Sequence, residues 1–233
     1  MYMRKIVLFC LWCFCFSASA ANVPLNSVEG GKMLASSILH GDAKPFLSEV
    51  RYFTYQKNIY FCGVASAAIL LNTLKATPPV DPNFGDYRLF TQDNLFTPEL
   101  ANKTGITFFS IIGQGLTLTK ETQLLNAFSG IKAQAYPMGT LTEEQVKKIL
   151  VKALKSDKLL VLANIFRPSM KEVGGGHFSP VAAYDSKSDS VLFMDVTSYK
   201  YGPTWVPMKT LYAAMSTRDP TEAYRGFILV SKQ

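Results

Sequence analysis

The stretch GGGHFSPVAAYDSKSDSVLFMDV, residues 174–196, decides the fold. Two apolar runs, 178–184 and 190–196, flank the polar segment DSKSD at 185–189, which reads as the turn of an antiparallel hairpin. With the hairpin axis near Ser186 or Lys187, His177 and Asp195 lie opposite or diagonally across neighbouring strands and on one face. Gly174, Gly175 and Gly176 precede the histidine, so the backbone there can be approached closely and the ring can face a cleft.

Outward from the hairpin, apolar β-rich runs recur at 159–166 and 226–231, separated by Gly, Pro, Ser and Asp clusters. The first half reads differently. Residues 63–74 are rich in Ala and Leu and stop before Pro78 and Pro79, which predicts a helix with Cys62 at its N-terminus. Thr142 and Gln145 form a capping box, followed by Val146, Ile149, Leu150, Ala153 and Leu154 at one-face helical spacing. Between these helices, DPNFGDYRLFTQDNLFTP (81–98) is aromatic and turn-rich and reads as an ordered loop. Helices first and strands later argue for an α+β fold with a largely antiparallel sheet. No internal repeat, heptad array or low-complexity linker divides the chain.

The N-terminus, MYMRKIVLFCLWCFCFSASA, places Arg4 and Lys5 before an apolar run that ends in the small residues Ala18-Ser19-Ala20. This is the pattern of a secretory signal peptide cleaved before Ala21, so the expectation is residues 1–20 removed, one domain over 21–233, and an exported, periplasmic or secreted product. The apolar run is shorter than the roughly 20 residues of a membrane-spanning helix. Without Arg4 and Lys5 the basic residues fall from 24 to 22 against 17 acidic, and they are scattered rather than gathered into a nucleic-acid or membrane patch.

Cys10, Cys13 and Cys15 lie within the removed segment, so Cys62 alone remains. An odd cysteine in an exported chain is either a free reactive thiol or a partner for another molecule, while a free cysteine is also among the commonest core residues. The two histidines separate these readings. His40, in SSILHGDAK, fits a helix C-terminus, where it favours the dipole. His177 can serve Cys62: a helix N-terminus and an imidazolium both lower a thiol pKa, and a histidine beside the sulfur can protonate a leaving amine. Asp195, ending an apolar strand, is the candidate to orient that ring. Gln56, six residues before Cys62, has the offset of the oxyanion glutamine in papain-like enzymes, with the Cys62 N–H as second donor. Zinc-site spacing, a G-x-S-x-G elbow, a P-loop and a G-x-G-x-x-G turn are missing from the sequence, which leaves Cys-His-Asp acyl transfer.

The strings FCGVASAAILLNTL, GGGHFSPVAAYDSKSDSVLFMDV, YKYGPTWVPMKTLYAAM and YRGFILVSK resemble the catalytic domain of phytochelatin synthases, papain-like enzymes that act on glutathione. The resemblance spans residues 27–233 and implies Cys62 as nucleophile, His177 as base and acid, Asp195 as orienter and Gln56 as oxyanion donor. It further implies a site for the γ-glutamyl head beside Gly176, with Asp219 binding the ammonium and Arg225, aligned across a one-residue gap, the carboxylate. The implied reaction cleaves the Cys–Gly bond of glutathione, releases glycine, and resolves a γ-glutamylcysteinyl thioester with water or with a second glutathione. Ser198 stands where the family usually has an arginine, and Gly202 where it has a proline. Ser198 puts the acceptor site, or the support of the cleft, in question, because serine cannot replace a bidentate, always-charged contact. The chain is similar to short bacterial relatives that resemble glutathione hydrolases more than polymerising synthases, which ranks hydrolysis above transpeptidation. The resemblance implies no tightly bound cofactor, cadmium and similar ions acting through metal-glutathione thiolates. Alternatives are a papain-like peptidase or amidase on another small peptide, or a decayed glutathione- or metal-thiolate-binding protein. Exposed apolar residues would also be compatible with a homodimer.

Overall fold

The computed structural model describes residues 21–81 and 85–233. The signal-peptide expectation, residues 1–20, lies outside the described residues. Along the chain run β1 (Val23–Pro24), α1 (Val28–Leu39), α2 (Lys44–Glu49), α3 (Cys62–Thr73), α4 (Pro98–Thr104), α5 (Phe108–Ile111) and α6 (Leu118–Asn126). They are followed by β2 (Ile131–Pro137), α7 (Glu143–Leu154), β3 (Leu159–Phe166), β4 (Gly176–Asp185), β5 (Ser190–Phe193), β6 (Thr204–Pro207), α8 (Met208–Met215) and β7 (Gly226–Lys232). The seven strands form one sheet in the order β1-β6-β5-β4-β3-β7-β2, with every neighbouring pair antiparallel. This is an α+β, papain-like arrangement: helices carrying the cysteine first, then an antiparallel sheet carrying His177 and Asp195.

Local chemistry explains the elements. α3 contains no charged residue and is buried from Cys62 to Asn72, as a helix apolar on all sides must be. α7 has the full capping box at Thr142 and Gln145, and it buries Val146, Leu150, Ala153 and Leu154. β3 is apolar except at Asn164 because both its faces are covered. Leu160 and Leu162 pack into a core with α3 and α6, while Val161, Ala163 and Ile165 pack into a second core with α7 and α8. A third, smaller core joins Met33 of α1 and Ala43 to Ala182, Leu192, Met194 and Trp205.

The β4–β5 hairpin turns at Asp185–Ser190, close to the expected axis, but its register is not uniform. Pairing runs Ala183↔Leu192 and then Val181↔Phe193, so Ala182 is an extra residue in β4, a β-bulge. The ladder ends at Phe193 rather than at residue 196, because Met194–Val196 leave it to meet partners of their own: Met194 N–H donates to Pro180 O and Val196 N–H to Ser179 Oγ.

Candidate active site

Each expected site residue is placed by a different element. Cys62 opens α3, whose first-turn N–H groups have no partner within the helix. The Phe178 N–H on β4, one residue after His177, reaches the Cys62 sulfur, and Ser66 Oγ donates to Phe178 O at 3.5 Å. The cysteine helix is therefore docked on the strand that carries the histidine. His177 Nε2 lies 3.0 Å from Asp195 Oδ1 and 3.0 Å from Ser179 Oγ, all three buried. Thr197 locks the carboxylate, its N–H and Oγ1 donating to Asp195 Oδ1 at 2.9 and 2.7 Å.

Sequence reasoning missed Arg167, which follows β3 and is 4% exposed. Its Nη2 lies 2.9 Å from Asp195 Oδ2 and donates to Thr197 Oγ1 at 3.1 Å, its Nη1 pairs with Glu172, and its guanidinium covers the Tyr201 ring at 4.8 Å. The only available signal was a charged residue at the end of an apolar strand, ten positions before His177.

Electrostatics corrects one expectation. The sequence predicts a thiol made acidic by a helix N-terminus and an imidazolium. Burial instead pushes the Cys62 thiol up to about 11; the Phe178 and Gly63 N–H groups and Arg167 pull it down, and Glu121 pushes it further up. Burial also lowers His177, with Asp195 opposing and Arg167 reinforcing the shift. Burial would raise Asp195 too, but His177, Arg167 and Thr197 outweigh it and hold the carboxyl down at about 2. The resting pair is thus neutral thiol and neutral imidazole, because desolvation disfavours both ions.

Glu121 on α6 is fully buried, and neither carboxyl oxygen has a hydrogen-bond partner. It packs against Gly63, where an added Cβ would lie 2.3 Å from Oε2, and burial raises its carboxyl to about 8. The folded state therefore holds a proton that the unfolded chain releases near its ordinary value of 4.5, so the associated stability is complete below that pH and is lost as pH rises through 8. Glu121→Gln is expected to remove this loss: urea melts at pH 5 and pH 8 should differ by several kcal/mol less than in the wild type, at about 1.4 kcal/mol per pH unit.

Gln56 is buried, its N–H donating to Val196 O at 2.8 Å. Its Nε2 donates to Asn58 O at 2.7 Å and to the Tyr199 hydroxyl at 3.0 Å, so a substrate oxyanion would have to replace that hydroxyl. Arg225 and Asp219 are also buried: the Arg225 guanidinium packs so closely on Gly176 that a Cβ there would lie 2.9 Å from Nη2, and the Asp219 charge acts on Arg225. Asp219 Oδ1 accepts from Thr221 N–H at 2.8 Å, and Arg225 donates to Thr217 Oγ1 at 3.3 Å. Ser198 lines a cavity of about 970 Å³ together with Tyr55, Glu172, Lys200 and Tyr201. His40 caps the C-terminus of α1, its Nδ1 2.8 Å from Ser36 O.

Comparison with known proteins fits this geometry. The family model described as "Phytochelatin synthase" matches residues 16–227. Glutathione gamma-glutamylcysteinyltransferase 1 of Triticum aestivum is 32% identical over 91% of this chain and 41% of its own length. Glutathione gamma-glutamylcysteinyltransferase 2 of Arabidopsis thaliana is 31% identical over 93% and 46%, and the Schizosaccharomyces pombe protein of that activity name is 24% identical over 88% and 48%. The chain thus spans under half the length of these curated relatives. The family match runs through the helices that carry the cysteine as well as the sheet that carries the histidine and aspartate, and on that footing the chain belongs to the phytochelatin synthase family.

Proposed function

We propose that the protein cleaves the Cys–Gly bond of glutathione by acyl transfer to Cys62, with water as the main acceptor and a second glutathione as the lesser one. The observation that carries this reading is His177, oriented by Asp195 at 3.0 Å on the same strand whose next N–H reaches the Cys62 sulfur.

The neutral resting pair assigns the proton transfers. His177 takes the thiol proton as the sulfur attacks the Cys–Gly carbonyl carbon, and the resulting oxyanion is met by the Cys62 N–H and the Gln56 amide. Collapse breaks the C–N bond, His177 gives its proton to the glycine nitrogen, and glycine leaves with a γ-glutamylcysteinyl thioester on Cys62. A water deprotonated by His177 then attacks the thioester, giving γ-glutamylcysteine and the thiol again. If the α-amine of a second glutathione attacks instead, the product is the longer peptide. Asp195 stays ionised throughout and stabilises the imidazolium.

Arg225, beside Gly176, is suited to the carboxylate of the γ-glutamyl head, and Asp219, whose charge acts on Arg225, to its ammonium. Ser198, in a cavity wall that also carries Lys171 and Lys200, gives an acceptor none of the bidentate contact an arginine would make, which weakens the acceptor side. Cadmium would enter as part of the acceptor, in a metal-thiolate complex. Export with cleavage before Ala21 belongs to the same reading and is checked by mass spectrometry of the N-terminus of the protein purified from its native cells.

The test is incubation with glutathione, with and without cadmium, followed by mass spectrometry. Glycine is expected to exceed γ-glutamylcysteine only by the small amount of acyl groups transferred into longer peptides. Saturable glutathione binding without turnover would mark a binding protein, and turnover of other small amides alone would mark a different peptidase. Because burial lowers His177 below its ordinary value of 6.5, the acid limb of glycine release should fall below that pH.

A further inference from the structure

We infer that Gln92 is a positioning residue for the oxyanion hole, holding the Gln56 backbone at a fixed distance from the helix that carries Cys62. This rests on the proposed function and extends it to the turn-rich loop at 81–98, which the catalytic steps leave without a role.

Gln92 is 4% exposed, and its side-chain amide is spent on two backbone groups. Its Oε1 accepts from Lys57 N–H at 2.8 Å, and its Nε2 donates to Tyr55 O at 2.8 Å. These are the residues immediately before and after Gln56, so one planar amide spans the position of the donor. The loop is fastened in turn to the catalytic helix: Asn72 of α3 donates to Phe90 O at 2.9 Å and accepts from Phe90 N–H at 2.9 Å. Asn94 closes the loop on itself, donating to Leu89 O at 2.9 Å and accepting from Thr91 N–H at 2.8 Å.

A continuous path of paired hydrogen bonds therefore runs from α3 through Phe90 and Gln92 to both sides of Gln56. An oxyanion hole built from two donors on separate segments acts only while their separation is fixed, since it stabilises charge without reorganising during the reaction. The Cys62 N–H is fixed by α3. Gln56 lies in an irregular segment, its backbone N–H donating to Val196 O beyond the end of β5. The amide of Gln92 supplies what a strand or helix would supply elsewhere: two ladder-like bonds that set the direction of the chain.

The experiment uses the full chain carrying Gln92→Met, similar in shape but unable to make either bond, alone and combined with Gln56→Ala. Loss of positioning is expected to lower kcat for glycine release about ten- to a hundred-fold with KM within about twofold. The double variant should fall no further than Gln56→Ala alone. Amide exchange followed by NMR should show the Lys57 N–H exchanging at least tenfold faster in Gln92→Met, whatever the substrate. Effects on kcat that multiply in the double variant, or a Lys57 amide as protected as in the wild type, would overturn the inference. A wild-type protein that releases no glycine overturns the functional reading instead, and the Lys57 exchange still decides whether Gln92 holds the segment.

Discussion

Cys62→Ala is expected to abolish glycine release from glutathione, by at least about 10⁴-fold, while leaving the melting temperature within a few degrees of the wild type. The size follows from the unit that the sulfur completes. A nucleophile and its base act together, so removing either one forfeits nearly all of the covalent route, and what remains is binding and the oxyanion donors. The fold should tolerate the change because the residue lies at the first turn of a helix already buried along its length, where alanine is a good helix former. Intact-mass measurement supplies the second readout: the wild type quenched during turnover should carry a γ-glutamylcysteinyl adduct, and the variant none. Persistent glycine release in Cys62→Ala would rule out this residue as the nucleophile. His177→Ala should fail equally and also lose the adduct, since an un-ionised thiol with a pKa of about 11 would lose the imidazole that takes its proton at neutral pH.

Arg167→Met is expected to destabilise the protein by about 3–5 kcal/mol and to lower kcat as well. Its guanidinium is a single positive charge buried between two carboxyls, Asp195 and Glu172. Removing it leaves Glu172 to be neutralised, for burial already raises that carboxyl and Arg167 is the first influence opposing the shift. Asp195 loses a partner and, with it, part of what keeps the carboxylate turned toward His177. Lysine should rescue little, because one ammonium cannot address Asp195, Thr197 and Glu172 in one plane or lie flat on Tyr201. Chemical denaturation at pH 7 reads the stability and steady-state glycine release the rate. A variant as stable as the wild type would show that the buried pair contributes nothing net.

Much of this protein was legible because local rules and global fold agree. The capping box at Thr142 and Gln145, the apolar run of β3, and the charge-free segment after Cys62 each form the element that their residue types favour, and each is buried as its pattern requires. The strands at 131–137 and 204–207 were not legible. Lys132 and Gln134 alternate outward on an edge strand, and the four residues of β6 are too few to show a period. Cys62, His177, Asp195 and Gln56 stand out as candidates by residue type and offset, whereas the polar groups that bind them do not. Arg167, Thr197, Ser179 and Gln92 are common residues whose importance comes from partners distant in sequence.

The sequence by itself determined the candidates: Cys62 at the head of an apolar helix, His177 after three glycines, and a hairpin that brings Asp195 near it. The tertiary structure decided whether those groups face one another. On an unbroken ladder from Asp185↔Ser190, residue 195 would lie opposite residue 180 and point away from His177, because side chains alternate along a strand. Ala182 adds one residue to β4 and shifts the pairing to Val181↔Phe193; beyond it Val196 N–H donates to Ser179 Oγ and Asp195 Oδ1 lies 3.0 Å from His177 Nε2. The packing of three cores likewise decided the protonation of the thiol, since burial depends on residues from the whole chain while helix position and a neighbouring imidazole are read locally.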